Sequence, residues 1–164
     1  MSGGKNMWAP WRIEYILGEK PGGCVLCDMP GMDADDRNFI VHRGAACYVI
    51  MNLYPYNSGH LMVVPLRHLS EYEDLTADER AESAELTARA VRALKKAMKP
   101  DGFNIGANLG KAAGAGIDEH LHVHIVPRWS GDVNFMTAVG GMRVIPQCLE
   151  ETYRTLKEAF AGVE

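Results

Sequence analysis

The 164-residue sequence lacks an uninterrupted apolar run long enough to cross a bilayer, and its start lacks the apolar stretch of a signal peptide. We therefore expect a cytoplasmic protein with no membrane partner. Positive charge is not in excess, because 17 Lys and Arg residues stand against 21 Asp and Glu residues, for a formal net charge of -4. A mildly acidic chain argues against binding to a nucleic-acid polymer, which calls for a basic face. A small anionic ligand stays compatible with this charge, since a few amides and side chains can hold it locally.

Cysteine is scarce, with four residues in the chain, and two of them form the motif Cys24-x-x-Cys27. In a reducing compartment such a pair is more often a metal or redox element than a structural bridge. Glycine and proline on both sides predict a loop, which argues against thioredoxin-like chemistry, because that chemistry needs a helix start beside the first thiol. The motif leaves a zinc half-site and a metal-free pair as alternatives.

Long linkers and internal repeats are also lacking, so we expect one domain over residues 1–164. A hydrophobic content of 47% at this length is enough to bury a core without disulfides. The beginning of the chain shows no helix or strand pattern. We expect residues 1–40 to be irregular and packed on the body of the domain.

Apolar runs separated by turn residues predict an α+β domain with an antiparallel sheet of about five strands. Four of the strands can be placed in the sequence, at residues 47–51, 60–64, 103–108 and 120–126. A turn-rich loop of about six residues separates the first two, which favours an antiparallel pair.

Two helices are expected after these first strands. The long one begins at Thr76, because Thr76-Ala77-Asp78-Glu79 has the form of a capping box, and it ends before Pro100. Steps of three and four residues predict its apolar face, formed by Ala84, Ala88, Val91, Leu94 or Lys95, and Met98. Pro146 is expected to begin a C-terminal helix with a single apolar stripe, formed by Leu149, Tyr153, Leu156 and Phe160.

Histidine alternates with aliphatic residues over three cycles in the segment His120-Leu121-His122-Val123-His124-Ile125-Val126. Strand side chains alternate between faces, so the three imidazoles are predicted to share one face while the aliphatic side chains enter a core. An exposed sheet face without function is the alternative. Two functional interpretations compete: three histidines that bind a metal, and one imidazole that acts as a nucleophile beside an anion-binding loop.

The segment before the histidines favours the nucleophile. Asn108-Leu109-Gly110-Lys111-Ala112-Ala113-Gly114-Ala115-Gly116 is rich in glycine, carries a lysine and leads directly into the strand. Backbone amides in such a loop suit phosphate oxygens, although the segment has no P-loop spacing.

The alternating segment resembles the signature of the histidine-triad family, His-φ-His-φ-His-φ-φ with φ hydrophobic, and Pro127-Arg128-Trp129 continues it. The similarity extends over residues 8–160, with Asn52 and Gly59-His60-Leu61 upstream and Gly131-Asp132-Val133-Asn134-Phe135 downstream. The chain is most similar to bacterial relatives of the fragile-histidine branch and of diadenosine tetraphosphate phosphorylases. The resemblance implies the fold of that family and a homodimer whose two sheets join.

The resemblance also implies a function and roles for individual residues. His122 would attack the α-phosphate of a dinucleoside polyphosphate, such as diadenosine tri- or tetraphosphate, and form a nucleotidyl-histidine intermediate. His120 and His124 complete the catalytic set. The residues implied to bind the AMP-containing substrate are Asn52, His60, Asn108, Lys111, Gly114, Gly116 and Trp129.

The sequence departs from the family pattern before the histidines. Gly114-Ala115-Gly116-Ile117 stands where many members have glutamine followed by a hydroxyl residue. A side-chain donor to the phosphate or the leaving group is therefore missing, which leaves the leaving group and the final acceptor open. Phosphorolysis with inorganic phosphate, cleavage of nucleoside phosphoramidates, and a nucleotide-binding sensor without turnover are the alternatives.

A structural zinc site is implied by the same resemblance. In several bacterial members a similar C-x-x-C pair binds zinc with two histidines, which here would be His68 and His120 beside Cys24 and Cys27. Two thiolates and two imidazoles make a closed tetrahedral site. We expect no cofactor to be required for the chemistry.

Overall fold

The computed structural model describes residues 23–132 and 148–163, which form one antiparallel sheet with helices on both faces. The strands are β1 (Ile40–Arg43), β2 (Cys47–Met51), β3 (Leu61–Pro65), β4 (Gly102–Gly106) and β5 (Val123–Arg128). Their order is β1-β2-β3-β5-β4, and every neighbouring pair is antiparallel. The helices are α1 (Val25–Gly31), α2 (Asp35–Asn38), α3 (Ala77–Met98) and α4 (Leu149–Ala161). The predicted α+β class with five strands, one long helix and a C-terminal helix is confirmed.

Alternating residues of β2 supply two separate cores. Val49 and Met51 pack with residues of β3, β5, α3 and α4 on one face of the sheet. Tyr48 and Ile50 pack on the opposite face with Leu26 of α1. The Tyr48 hydroxyl donates a hydrogen bond of 2.7 Å to the Leu26 carbonyl, which satisfies a fully buried phenol. Because both faces are covered, the central strands are buried along their whole length.

Helix α3 begins as the sequence predicts, but it buries a different stripe. The Thr76 hydroxyl accepts from the Glu79 amide while the Glu79 carboxylate accepts from the Thr76 amide, so the capping box is confirmed. The buried hydrophobic residues are Leu86, Ala90, Ala93 and Leu94. Of the predicted face, Ala84 is exposed, and Ala88, Val91 and Met98 are only partly buried. Alanine is frequent on several sides of this helix, so its pattern did not define one face, and packing on the sheet and α4 selected it.

The expectation of irregular backbone before residue 40 is wrong for the part that the structure describes. Helices α1 and α2 occupy most of residues 25–38, and β1 was not anticipated. The Arg43 side chain joins these elements, because it donates to the Asp35 carboxylate and to the Pro30 carbonyl. Such long-range contacts leave no local periodicity in the sequence. Residues 1–22 lie outside the described part.

Element boundaries differ from the prediction around the histidines. Strand β5 begins at Val123, so His120 and His122 precede it, and β4 ends at Gly106. Strands β2 and β3 are joined by residues 52–60, a longer connection than predicted. Helix α4 buries Tyr153, Leu156 and Phe160 as expected, whereas Pro146 lies outside the described residues. Among the described helices, none is long and apolar enough to cross a bilayer.

Candidate functional site

Three histidine rings meet beside β3 and β5, those of His60, His122 and His124, and His120 lies next to them in the chain. His60 immediately precedes β3, and His124 lies on β5 opposite Met62. The ring centroids of His60 and His124 are 5.0 Å apart, and those of His122 and His124 are 4.7 Å apart. His60, His120, His122 and His124 are all buried. Buried imidazoles need defined hydrogen-bond partners, and these partners assign the proton on each ring.

The main-chain carbonyl of His120 determines which ring nitrogen of His122 carries the proton. The His122 Nδ1 atom lies 2.8 Å from that oxygen. A carbonyl oxygen can only accept, so Nδ1 carries the proton and donates it. In a neutral imidazole the other nitrogen then has a free lone pair. His122 Nε2 is thus available as a nucleophile.

His60 and His124 form a second chain of hydrogen bonds that begins at a backbone amide. The Tyr56 N–H donates to His60 Nδ1 over 3.0 Å, so the proton of His60 is on Nε2. That N–H donates over 3.0 Å to His124 Nδ1, which leaves the proton of His124 on Nε2. His124 Nε2 is buried and has no hydrogen-bond partner among the described residues. This N–H takes no part in the bond between His60 and His124, and it can donate to another acceptor.

Burial keeps both of these rings neutral. Removal from water, with the neighbouring His124 and His122 rings, lowers the pKa of His60 from 6.5 to about 3. Burial and the nearby His122 ring lower the pKa of His124 from 6.5 to about 4. At neutral pH each ring therefore has one N–H that donates and one nitrogen that accepts, as the chain of hydrogen bonds requires.

The three histidines of the alternating segment do not surround one metal position. His122 Nδ1 is bonded to a carbonyl and His124 Nδ1 to another imidazole, while His120 faces a different group of residues. The interpretation as a three-histidine metal centre is not supported by this arrangement. The interpretation with one nucleophile and a neighbouring donor fits it.

A second cluster joins two cysteines to two histidines. The potential ligand atoms of Cys24, Cys27, His68 and His120 all lie within 4.8 Å of one another. His120 Nδ1 is 3.2 Å from Cys24 Sγ and 3.3 Å from Cys27 Sγ, and His68 Nδ1 is 3.3 Å from Cys27 Sγ. Ligand atoms around a tetrahedral zinc lie ~3.3–3.8 Å apart, given typical Zn–N and Zn–S lengths. The structure brings the four predicted residues together in an arrangement that fits zinc.

The tautomer of His120 also suits a metal ligand. Its Nε2 lies 2.8 Å from the Pro65 carbonyl oxygen, so Nε2 carries the proton and the Nδ1 lone pair faces the two thiols. In the absence of metal, burial and the neighbouring Cys24 thiol raise the pKa of Cys27 to about 11. Cys24 is the N-cap of α1, so the pair lies at a helix start and not in the predicted loop.

Of the other predicted substrate residues, Asn52 contacts His60 through the main chain. Its backbone amide donates to the His60 carbonyl over 2.9 Å, and its side-chain oxygen accepts from the Tyr54 amide. Lys111 is exposed and forms an ion pair of 3.5 Å with Asp118. Gly114 has φ +88°, which favours glycine, and Trp129 directly follows β5. Asn108 and Gly116 lie in the connection between β4 and β5.

Two contributors to the site were missed by the sequence analysis. Tyr56 supplies its amide to His60, and its ring stacks on the same imidazole at 4.9 Å. Pro65 supplies the carbonyl that orients His120. Both hydrogen bonds come from the main chain, which every residue type carries, so no residue pattern indicates these bonds.

Comparisons with known proteins agree with this geometry. The model of a family described as the HIT domain matches residues 34–131. A protein from Mycobacterium tuberculosis named AP-4-A phosphorylase is 45% identical over 165 residues, which cover 96% of this chain and 85% of the relative. A bis(5'-nucleosyl)-tetraphosphatase from Schizosaccharomyces pombe is 29% identical over 126 residues, covering 76% of this chain and 69% of that protein. A crystal structure of a Zn-bound histidine triad family protein from Mycobacterium smegmatis has a TM-score of 0.70 and 31% identity, covering 85% of this chain and 94% of that one.

Proposed function

The chain belongs to the HIT domain family, and from this premise we propose that it is an enzyme that cleaves dinucleoside polyphosphates at an α-phosphate through a covalent nucleotidyl intermediate on His122. The observation that carries the proposal is the 2.8 Å hydrogen bond from His122 Nδ1 to the His120 carbonyl. This bond leaves the Nε2 lone pair free, and a neutral imidazole with a free nitrogen is a good nucleophile.

In the first step, the Nε2 lone pair of His122 forms a bond to the α-phosphorus. The bond from phosphorus to the bridging oxygen breaks, and its electron pair leaves with the departing nucleoside polyphosphate. The ring becomes positively charged as this happens, and the His120 carbonyl dipole stabilises that charge through the existing hydrogen bond. In the second step an acceptor attacks the phosphorus, and the P–N electron pair returns to His122.

His124 supplies a donor for the phosphate during both steps. Its buried Nε2–H has no partner among the described residues and lies on a ring centred 4.7 Å from that of His122. A phosphoryl oxygen placed there gains negative charge in the transition state, where such a donor is most effective. His60 holds the proton of His124 on Nε2. The Tyr56 amide donates to His60 Nδ1, so the proton of His60 is on Nε2, and this Nε2–H donates to His124 Nδ1, which therefore carries no proton.

The remaining substrate contacts are assigned by the family resemblance. We propose that Asn52 binds the ribose hydroxyls, that Asn108 approaches the phosphate or the leaving group, and that the amides from Gly114 to Gly116 contact phosphate oxygens. Lys111 would then exchange its 3.5 Å contact with Asp118 for a distal phosphate, and Trp129 would close the nucleotide pocket.

Two acceptors can release the nucleotide from His122, and the comparisons favour inorganic phosphate as well as water. The Mycobacterium tuberculosis relative is named a phosphorylase, and the Schizosaccharomyces pombe relative is named a tetraphosphatase. Both activities are compatible with the same nucleotidyl-His122 intermediate, because only the second step differs. Phosphorolysis is therefore the second candidate activity.

The test is an incubation of the protein with diadenosine tetraphosphate, with and without inorganic phosphate, and identification of the products by mass. Water as acceptor gives AMP and ATP, and phosphate as acceptor gives ADP and ATP. Rapid turnover excludes a sensor that only binds nucleotide. Intact dinucleoside polyphosphate beside rapid cleavage of a nucleoside phosphoramidate would contradict the proposed substrate class.

We further propose that Cys24, Cys27, His68 and His120 hold one zinc ion. The donor atoms, their mutual distances and the tautomer of His120 support it. Bound there, zinc would supply a closed tetrahedral link between α1, the segment after β3 and the histidine segment, with no coordination position left for a substrate.

A further inference from the structure

We propose that the Cys24, Cys27, His68 and His120 cluster holds His122 in its nucleophilic tautomer through the backbone of His120, so that a disulfide between Cys24 and Cys27 switches the nucleophile off. The proposal rests on the proposed function, because it concerns regulation of the same site. It assigns His120 as a positioning residue and the cysteine pair as a redox control.

His120 connects the two sites through three different atoms. Its Nδ1 faces the thiols at 3.2 and 3.3 Å, and its Nε2 is bonded to the Pro65 carbonyl at 2.8 Å. Its own carbonyl accepts the His122 Nδ1–H at 2.8 Å. The side chain is 1% exposed, so these contacts fix it against protein on all sides. Displacement of the imidazole therefore displaces the carbonyl that assigns the proton of His122.

The cysteines are placed for oxidation. Cys24 is the N-cap of α1 and Cys27 lies in its first turn, with sulfur atoms within 4.8 Å of each other. Hydrogen peroxide is the oxidant: one thiolate attacks it to give a sulfenic acid and hydroxide, and the second thiolate attacks the sulfenic sulfur to form the S–S bond and release a second hydroxide. Two protons from solvent convert both hydroxides to water. Two electrons pass from the sulfurs to the peroxide, which is reduced to two waters, and a bound metal ion is released.

The disulfide changes what His120 contacts. A disulfide has no S–H to donate to Nδ1 and no thiolate to share a metal, so a buried nitrogen loses its partners. A buried polar nitrogen without a hydrogen-bond partner is unfavourable, so the ring moves or takes the other tautomer. Either response breaks the geometry with the Pro65 carbonyl and weakens the bond to His122. Without that bond the proton of His122 is free to occupy Nε2, where it blocks the lone pair.

The other two cysteines provide an internal comparison. Cys47 is fully buried in the core and lies outside the cluster, whereas Cys24 and Cys27 are only partly buried. Cys148 is exposed but lies at the start of α4, outside the cluster. The variant Cys148→Ser removes an accessible thiol and leaves the cluster intact, so it is the matched control.

The test compares zinc-loaded reduced protein with protein treated with hydrogen peroxide. Ring-nitrogen NMR of 15N-histidine-labelled protein reports the tautomer of His122, a chromophoric chelator reports metal release, and steady-state kinetics report turnover. We expect oxidation to release the metal, to deplete the Nδ1–H form of His122 and to lower kcat by about tenfold or more with little change in KM. A reductant with added zinc should restore all three, and Cys148→Ser should respond as the unmodified protein does.

A variant that keeps a metal ligand but cannot form the disulfide completes the test. Cys27→His retains a zinc-binding nitrogen, so this variant should keep its metal and the His122 tautomer in peroxide. If circular dichroism shows that Cys27→His does not fold, Cys24→His takes its place in the test. A disulfide that forms and releases metal while the His122 tautomer stays unchanged overturns the proposal. Reduced protein that leaves dinucleoside polyphosphates intact overturns the proposed function alone, because the NMR measurement needs no substrate.

Discussion

At the scale of single residues, His122 differs from its neighbours in the partner of its Nδ1 atom. His60 and His124 are bonded through their rings to each other, and His120 is bonded to the thiols and to Pro65. Among these four rings, only His122 has a nitrogen, Nε2, that is both unprotonated and free. The reason is that its Nδ1 carries the proton and donates it to the His120 carbonyl. The chemistry of the site therefore depends on one atom, and substitutions at the three triad positions should have unequal effects.

We expect His122→Asn to lower kcat by about a thousandfold or more, because it removes the proposed nucleophile and leaves no imidazole at this position to form the intermediate. Nucleotide binding, measured by calorimetry, should change little, since asparagine occupies most of the same volume. His124→Gln keeps an N–H donor and should retain measurable turnover. Comparable residual rates for single substitutions at His120, His122 and His124 would contradict the assignment of His122 as nucleophile.

The buried neutral rings predict a pH dependence of stability. The pKa values of His60 and His124 are lowered in the folded protein to about 3 and about 4, from 6.5. Below pH ~6.5 the unfolded chain therefore binds protons that the folded protein does not bind, and the free energy of unfolding decreases as the pH falls. Each such ring contributes a slope of about 1.4 kcal/mol per pH unit between its two pKa values.

We expect denaturant titrations between pH 6.5 and pH 5 to show this slope, and His60→Asn to reduce it. The slope is the readout, because the substitution also changes the absolute stability. Carboxylates whose pKa values are lowered, such as Glu79 at about 2, titrate mostly below this window. A His60→Asn protein with an unchanged slope would show that His60 is protonated in the fold.

At the scale of elements, the start of α3 also anchors the segment that carries His68, one of the four residues proposed to bind zinc. The Glu79 carboxylate closes the capping box on Thr76 and forms hydrogen bonds of 3.0 and 2.8 Å with the Arg67 guanidinium. Arg67 directly precedes His68. One carboxylate thus connects a helix start to the segment after β3.

Removal of this cap should therefore affect stability more than chemistry. We expect Thr76→Ala to lower the free energy of unfolding by about 1 kcal/mol, because the Glu79 amide loses its acceptor. Thr76→Ser keeps the hydroxyl and is the matched control. Urea titrations followed by circular dichroism measure both, and equal stability of the alanine and serine variants would show that the cap contributes nothing.

At the scale of the whole molecule, the cluster of Cys24, Cys27, His68 and His120 joins segments that are far apart in the sequence. Cys24 and His120 are separated by 96 positions, and both belong to the same four-residue group. A metal that binds the folded arrangement more tightly than the unfolded chain stabilises the protein by mass action. Purified protein should contain about one zinc per chain by elemental analysis, as expected for four ligands to a single ion. A chelator should lower the Tm of this protein. The proposed zinc site would be contradicted if purified protein contained no zinc and gained no stability when zinc was added.

One of the two edge strands of the described sheet, β4, predicts an assembly. In the described part of the chain β4 pairs with β5 on one side only, and Ile105 on β4 is 51% exposed. An exposed edge strand is a template for pairing with a second chain, which is the homodimer that the family resemblance implies. We expect light scattering at micromolar concentration to give a dimer mass, and Ile105→Lys to shift it toward a monomer. Met32→Lys changes an exposed apolar residue elsewhere and should leave the mass unchanged, whereas a monomer for the unmodified protein would refute the dimer.

The sequence by itself determined the features that depend on neighbouring positions. The alternation from His120 to Ile125 predicted three imidazoles on one face; His122 and His124 lie together, whereas His120 faces the thiols. The capping box placed the start of α3 at Thr76. Resemblance of the motifs to a known family predicted the four residues of the metal cluster, which the fold then gathered. Local spacing sufficed because a strand and a helix repeat over a few residues.

Tertiary structure alone decided which nitrogen of each histidine carries a proton. The answer depends on the Tyr56 amide, the Pro65 carbonyl and the His120 carbonyl, which are main-chain atoms that no residue pattern indicates. The buried stripe of α3 and the helices before β1 were likewise decided by packing between distant segments. A sequence specifies which side chains exist, whereas the partner of a buried polar atom depends on what the folded chain brings within about 3 Å of it.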